Sequence, residues 1–198
     1  MSTPSVSLID VSTYLPGEPI GADYYAQFAE SDELRDNVMF RSPKFRHHVA
    51  PDESSIDMIE RAAQGLIERH GHDVIEGADV LITHTQVPDM AFYGQGGGIA
   101  HRLGMRPSWV LDLNNGGCAA FVLALNVARK LLASGDGHTA VIAIAQNAAG
   151  QFFDQATIAA RPNRRCPATG RRSAWSRWAT SHPSSMSSAA PMANTPVK

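Results

Sequence analysis

The sequence predicts an α/β protein with a parallel-sheet core and a buried helix. Continuous apolar runs, Val80-Leu81-Ile82 and Ala140 to Ala145, read as strands covered on both faces. Other stretches carry apolar residues at helical spacing, most clearly Ile56, Ile59, Ala63, Leu66 and Ile67. The two kinds of stretch alternate along the chain, which is the pattern of parallel βαβ units.

Each element has its own local reason. Val6 to Tyr14 reads as a strand, ended by Leu15-Pro16-Gly17. Ala22 to Phe28 reads as a short helix, and Phe45 to Val49 as a short strand. The helix over Ser54 to His70 has Ser54 or Ser55 as its cap, with Asp57 and Glu60 suiting its first turns. Gly71 can end it. Ala78 to Thr85 is a buried strand. Val87 to Gly98 is a loop with a glycine-rich end, and Ile99 to Leu103 is helical up to Gly104. Ala119 to Ser134 is apolar nearly all round, so it is expected to be buried. Ser134-Gly135-Asp136-Gly137 turns the chain into the strand Ala140 to Ala145.

Composition narrows the class. The chain has 198 residues, 43% hydrophobic and 18% charged, enough for one domain with a core. No run of about 18 consecutive apolar residues occurs, so no membrane span is expected. The N-terminus lacks a basic segment followed by an apolar stretch, so the expectation is a cytoplasmic protein. Two cysteines, Cys118 and Cys166, make no disulfide framework.

Charge divides the chain sharply. All 19 acidic residues lie at or before Asp154, while seven basic residues and no acid follow from Arg161. The body carries a balance of −9 and the tail +7. Helical and strand periodicity end at the same place. The expected organisation is therefore a folded body over 1–159 and a disordered or out-of-frame tail over 160–198.

The stretch around Cys118 organises the body. A short apolar stretch, Trp109-Val110-Leu111, reads as a buried strand and leads through Asp112-Leu113-Asn114-Asn115 to Gly116-Gly117-Cys118, and an apolar helix follows. The glycines can take backbone angles closed to other residues. Strand, tight turn and helix place the Cys118 sulfur at a helix N-terminus, in an environment expected to be buried. Unpaired N–H groups and the helix dipole there favour the nucleophilic thiolate. The plain alternative is a cysteine that only packs.

Other motifs are weaker. Gly94-Gln95-Gly96-Gly97-Gly98 has no preceding strand and no following Lys-Ser or Lys-Thr. A loop or close helix packing explains it better than phosphate binding. His47-His48 and His70-Gly71-His72 match no metal-ligand spacing, and hydrogen-bonded or solvated histidines are the better reading. The arginines from Arg161 to Arg172 could mimic a nucleic-acid arm, but they fall in the tail whose composition points to a change of frame.

With Cys118 placed, the body from about Val6 to Gln155 resembles the N-terminal half of a β-ketoacyl-acyl-carrier-protein synthase III, of the thiolase superfamily. The resemblance rests on Tyr14-Leu15-Pro16, on Arg46 to Glu53 and on Asp57-Met58. It continues through Thr83 to Met90, Leu113 to Phe121, Leu131 to Gly135 and Val141 to Ala145. It implies a thiolase fold of two similar halves, and a homodimer in the full-length form. It also implies that Cys118 takes an acyl group from a thioester, its backbone N–H helping to hold the oxyanion. Thr83 to Met90 would end in a dimer-contact segment, and Arg41 matches a family arginine near coenzyme A. The implied partners are acyl-coenzyme A and acyl carrier protein, as substrates, with no resident cofactor, metal, nucleic acid or membrane. A His and an Asn that assist decarboxylation belong to the family's second half.

The sequence also departs from the family. A tryptophan common in the segment here written Asp32-Glu33-Leu34-Arg35 is absent. The turn reads Gly116-Gly117-Cys118-Ala119 where Ala-Cys-Ser-Gly is more usual. Together with Phe45-Arg46-His47-His48, this form looks most like the synthase III-like enzymes of polyketide pathways. Some of those select starter units or acylate an oxygen. The expectations are thus a condensing or acyl-transferring enzyme, a non-catalytic fragment or partner subunit, or an α/β domain whose Cys118 is structural. The tail adds one more. Cys166-Pro167-Ala168-Thr169-Gly170, written in codons ending in G or C and read one base earlier, gives Leu-Pro-Gly-Asp-Gly. That resembles the Gly-Asp-Gly strand that follows in the family.

Overall fold

The computed structural model describes residues 5–27, 31–36, 44–90, 92–114 and 116–148. The chain divides into two units, Met1–Gln155 and Ala156–Lys198. The expected tail over 160–198 lies outside the described residues.

The N-terminal part is the least regular. The strand β1 (Ile20–Gly21) pairs antiparallel with β2 (Phe45–Arg46), Ile20 opposite Arg46. Between them lie the helices α1 (Ala22–Ala26) and α2 (Asp32–Arg35). Val6 to Tyr14, expected as a strand, joins no ladder among the described residues. Apolar and β-branched residues favour an extended chain, but a strand also needs a neighbouring edge to pair with. Side chains hold this segment instead. Asp10 accepts hydrogen bonds from Arg69 and His70, each at 2.7 Å. The Tyr14 hydroxyl donates to Glu53 at 2.8 Å and accepts from Arg61 at 2.6 Å. Leu8, Ile9, Val11 and Leu15 consequently stay exposed.

The helix α3 (Ser55–His70) follows its sequence signals closely. Ser54 and Asp57 form a reciprocal capping box, Asp57 N–H to Ser54 Oγ and Ser54 N–H to Asp57 Oδ2, both at 3.0 Å. Gly71 ends it with φ +89°. A short helix α4 (Asp73–Glu76), not foreseen from the sequence, buries Ile75.

Three parallel strands form the core sheet. The strand β3 (Val80–Thr85) is central and buried along its whole length. The helix α5 (Gly96–Arg102) leads to the edge strand β4 (Trp109–Asp112), with Val80 opposite Trp109 and Thr83 opposite Asp112. The helix α6 (Ala120–Ser134) leads to β5 (Ala140–Ala145), with Val80 opposite Ala140 and Thr85 opposite Ala145. The order is β4-β3-β5. The parallel α/β expectation therefore holds. The glycine-rich end expected as loop is instead the start of α5.

Strand alternation splits the core into two layers. Leu81, Ala143 and Ala145 pack with Ile59 and Ala63 of α3 and with Ile99 and Ala100 of α5. Val80 and Ile82 face Ala124 and Ala128 of α6. Two expectations need correction here. β4 is an exposed edge, with Trp109 43% and Val110 40% accessible. α6 packs on the sheet but is covered on one face only. Its alanines, spaced four apart, let its backbone approach the strands, while Phe121, Val122 and Leu123 stay exposed. An all-round apolar pattern states what can be buried; burial needs a second layer, and among the described residues none lies over that face. Gly117–Ser134 is long and apolar enough to cross a membrane by length and composition alone, yet here it is the sheet-packed helix.

Candidate active site: the Cys118 turn

The turn is anchored to the end of β3. Leu113 N–H donates to Thr83 O at 2.8 Å, continuing the β3–β4 attachment past its last register pair. The Leu113 carbonyl meets His84 Nδ1 at 2.8 Å. Asp112, one residue earlier, accepts the Thr83 hydroxyl and the backbone N–H groups of Gln95 (2.9 Å) and Gly96 (3.0 Å). A carboxylate thus fixes the end of β4 to both β3 and the start of α5.

Beyond Asn114 the chain enters a single 3-10 turn, Gly117–Ala119, which runs into α6. Ala119 N–H donates to Gly116 O at 3.1 Å. Both glycines are required, for different reasons. Gly117 has φ +53°, the left-handed region. A Cβ on Gly116 would lie 2.7 Å from Ala120 Cα and 2.9 Å from Ala120 Cβ. Gly116 therefore lets the turn lie directly on the first residue of α6. Cys118 sits in the middle of the 3-10 turn, immediately before α6, and the Ala119 and Ala120 N–H groups that follow it bond back to Gly116 O and Gly117 O.

The strand–turn–helix placement of Cys118 is as the sequence implies. Its expected burial is not: Cys118 is exposed. Placement follows from local backbone, whereas burial depends on whatever covers the uncovered side of α6. Arg41 lies outside the described residues. Tyr14 and Glu53, both in segments that carry the resemblance, meet through a hydrogen bond and share Arg61. Glycine packing explains the Gly94 to Gly98 run: a Cβ at Gly94 would run into Asp112, one at Gly96 would lie 2.4 Å from Val110 Cγ1, and one at Gly98 would lie 2.7 Å from Ile56 Cδ1. The histidines are locally bonded: His47 Nδ1 lies 2.9 Å from Pro16 O and His70 Nε2 2.7 Å from Asp10. Among the described residues no group of three His, Cys, Asp or Glu could hold a metal ion.

Sequence reasoning did not single out Asp112, Thr83 or His84. A signal was present: Thr83-His84-Thr85 are three polar residues in succession within an otherwise apolar strand. A buried polar group needs a partner. Two of the three find theirs at Asp112 and Leu113, on the way to Cys118.

Two further tethers set the loop after β3. Asn147, 1% exposed, bonds Val87 in both directions, receiving its N–H at 3.0 Å and donating to its carbonyl at 2.8 Å. Asp89 accepts from Ser55 N–H at 2.9 Å and Ser55 Oγ at 2.7 Å. Met90, next after Asp89 along this loop, is exposed.

No family model matches the sequence. Curated relatives do. The β-ketoacyl-[acyl-carrier-protein] synthase III of Paramagnetospirillum magneticum is 32% identical over 139 residues, covering 68% of this chain and 41% of that protein. Among solved structures, a 3-oxoacyl-(acyl-carrier-protein) synthase III is 25% identical at a TM-score of 0.57, covering 67% of this chain and 39% of that one. The priming β-ketosynthase of the R1128 polyketide biosynthetic pathway, 23% identical, shares the fold at a TM-score of 0.53, covering 71% of this chain and 45% of that one. The chain spans about two fifths (41%) of the length of the curated relatives it matches.

Proposed function

We propose, for a chain that belongs with the N-terminal half of the β-ketoacyl-acyl-carrier-protein synthases III, acyl transfer from a thioester through Cys118. The reaction class is synthase III-like condensation in fatty-acid or polyketide biosynthesis. The single observation that carries the reading is the placement of Cys118 on a two-glycine turn at the N-terminus of α6.

The chemistry follows from that placement. The Cys118 thiolate attacks the thioester carbonyl, forming a new carbon–sulfur bond and a tetrahedral oxyanion. The Cys118 backbone N–H helps to hold the oxyanion. Collapse breaks the bond to the departing thiol, which leaves as thiolate and takes up a proton. The acyl-enzyme then passes its acyl group to an acceptor. In this reading acyl-coenzyme A and acyl carrier protein are substrates, Arg41 binds coenzyme A, and the full-length form is a homodimer. A starter-unit or O-acyl transfer would use the same first step.

A second reading is favoured by one observation. Cys118 and the adjoining Phe121, Val122 and Leu123 are exposed. That surface suits a partner subunit or fragment that carries the nucleophile turn without a closed pocket around it.

Incubation of the full chain with a labelled acyl-coenzyme A, followed by peptide mapping, tests the proposal. Label on the Cys118 peptide, lost in Cys118→Ala, is the expected result. Label elsewhere, or labelling unchanged in Cys118→Ala, removes the acyl-enzyme. No labelling at all leaves the partner-subunit reading.

A further inference from the structure

We propose that His84 is a positioning residue for Cys118, acting through the Leu113 carbonyl. This rests on the reading of Cys118 as the nucleophile.

His84 is 3% exposed, on a strand that is buried throughout. Alternation along β3 places Val80, Ile82 and His84 on one side of the sheet. Val80 and Ile82 pack on Ala124 and Ala128 of α6. His84 therefore follows them toward the N-terminal end of α6, the end that carries the nucleophile turn. An imidazole buried there without a partner would cost free energy. Its Nδ1 lies 2.8 Å from Leu113 O. A carbonyl only accepts, so Nδ1 carries the proton and donates.

This bond has a specific mechanical consequence. The β3–β4 register ends at Thr83 and Asp112. Leu113 is the next residue, and both of its backbone groups are taken, the N–H by Thr83 O and the carbonyl by His84. Only Asn114 to Gly117 then separate this anchor from Cys118. On the far side, Gly116 rests against Ala120 and Ala119 N–H bonds Gly116 O. The nucleophile turn is thus a short span between two fixed points. His84 supplies the side-chain half of the first one. Without the imidazole, Leu113 O loses its donor and the turn can rotate away from the N-terminus of α6.

The geometry distinguishes substitutes. An asparagine amide can place its N–H near the position of Nδ1, whereas a glutamine amide reaches further and a leucine donates nothing. The experiment measures carbamidomethylation of Cys118 by iodoacetamide in the full chain, mapped to its peptide, for wild type, His84→Asn, His84→Gln and His84→Leu. Far-UV circular dichroism is recorded for each. His84→Leu is expected to react roughly tenfold more slowly than wild type, the size of one lost hydrogen bond. His84→Asn is expected to recover to within about twofold, and His84→Gln to stay slow. Equal rates in wild type and His84→Leu overturn the proposal, as does a glutamine variant that recovers as fully as the asparagine one. If His84→Leu does not fold, the Asn and Gln pair decides by itself. Iodoacetamide needs no thioester, so the two readings fail separately. Acyl labelling of Cys118 with His84-independent alkylation overturns only the positioning role. His84-dependent alkylation without acyl labelling overturns only the acyl-enzyme.

Discussion

Thr83 in β3 donates its hydroxyl to the carboxylate of Asp112, the residue it faces across the parallel ladder in β4. The same Asp112 oxygen accepts the N–H groups of Gln95 and Gly96. One side chain therefore joins the central strand, the edge strand and the start of α5. Asp112→Ala should destabilise the body by about 2 kcal/mol, because it leaves a buried hydroxyl and helix-start N–H groups without their acceptor. Asp112→Asn, which keeps one acceptor oxygen, should cost less. Urea unfolding of both variants checks the order; equal stability of wild type and Asp112→Ala would remove the clamp from the account.

The turn itself can be probed by backbone chemistry. Gly117 sits at φ +53° with open space where a Cβ would go, so Gly117→Ala meets conformational strain and no clash. The expected cost is about 1 kcal/mol. Gly116→Ala, by contrast, meets the Ala120 backbone and must push the turn off α6. Labelling of Cys118 by an acyl thioester should fall further in Gly116→Ala than in Gly117→Ala. The reverse order would show that contact with α6 does not govern the sulfur's position.

Acid stability should carry the mark of the α3 cap. The Ser54 hydroxyl and backbone N–H, aided by Arg102, lower the Asp57 carboxyl from its ordinary 3.8 to about 2. A carboxylate held below its unfolded value contributes stability that is fully present above about pH 4 and is lost as pH falls toward 2. Ser54→Ala removes the largest cause. Its urea midpoint should therefore lie below wild type at neutral pH, and the gap should narrow as pH drops through that window to the remainder set by the lost bond from Asp57 N–H to Ser54 Oγ. A constant gap between the two curves would contradict the linkage.

The one-sided packing of α6 separates its residues by consequence. Ala124→Leu must force a larger side chain against Val80 and Ile82 and should cost about 2 kcal/mol. Val122→Ser, on the exposed face, should change stability by no more than about 0.5 kcal/mol. Thermal melts of the two variants check this. A large loss from Val122→Ser would mean that the outer face is covered in solution.

The tail makes a prediction about the gene. Residues from about Ala160 onward are expected to be read out of frame, on the loss of every acidic residue and the Leu-Pro-Gly-Asp-Gly recovered one base earlier. Sequencing across codon 160 and downstream should find synthase-like coding in the neighbouring frame. A frame that simply ends at Lys198, with none beside it, would refute the expectation.

The sequence by itself determined what depends on neighbours along the chain. Ser54 and Asp57 specified the start of α3, and Gly71 its end, because caps are built from residues a few positions apart. The runs Val80-Leu81-Ile82 and Ala140 to Ala145 specified strands, since continuous apolar β-branched and small residues suit a sheet covered on both faces. Two glycines before an apolar helix specified the turn that places Cys118, because backbone angles are a local matter.

Tertiary structure decided what depends on partners distant in sequence. Val6 to Tyr14 had a strand's residue types but found no edge among the described residues, and Asp10 and Tyr14 tie it to α3 through side chains instead. The apolar circumference of α6 could not say which face would meet the sheet; Ala124 and Ala128 lie at the centre of that face, where small residues let helix and strands approach, with Val127, Leu131 and Leu132 packed beside them. The exposure of Cys118 follows from that choice. Nor could the sequence pair Thr83 with Asp112 or His84 with Leu113. Those bonds exist because a parallel register brings residues about 30 positions apart side by side.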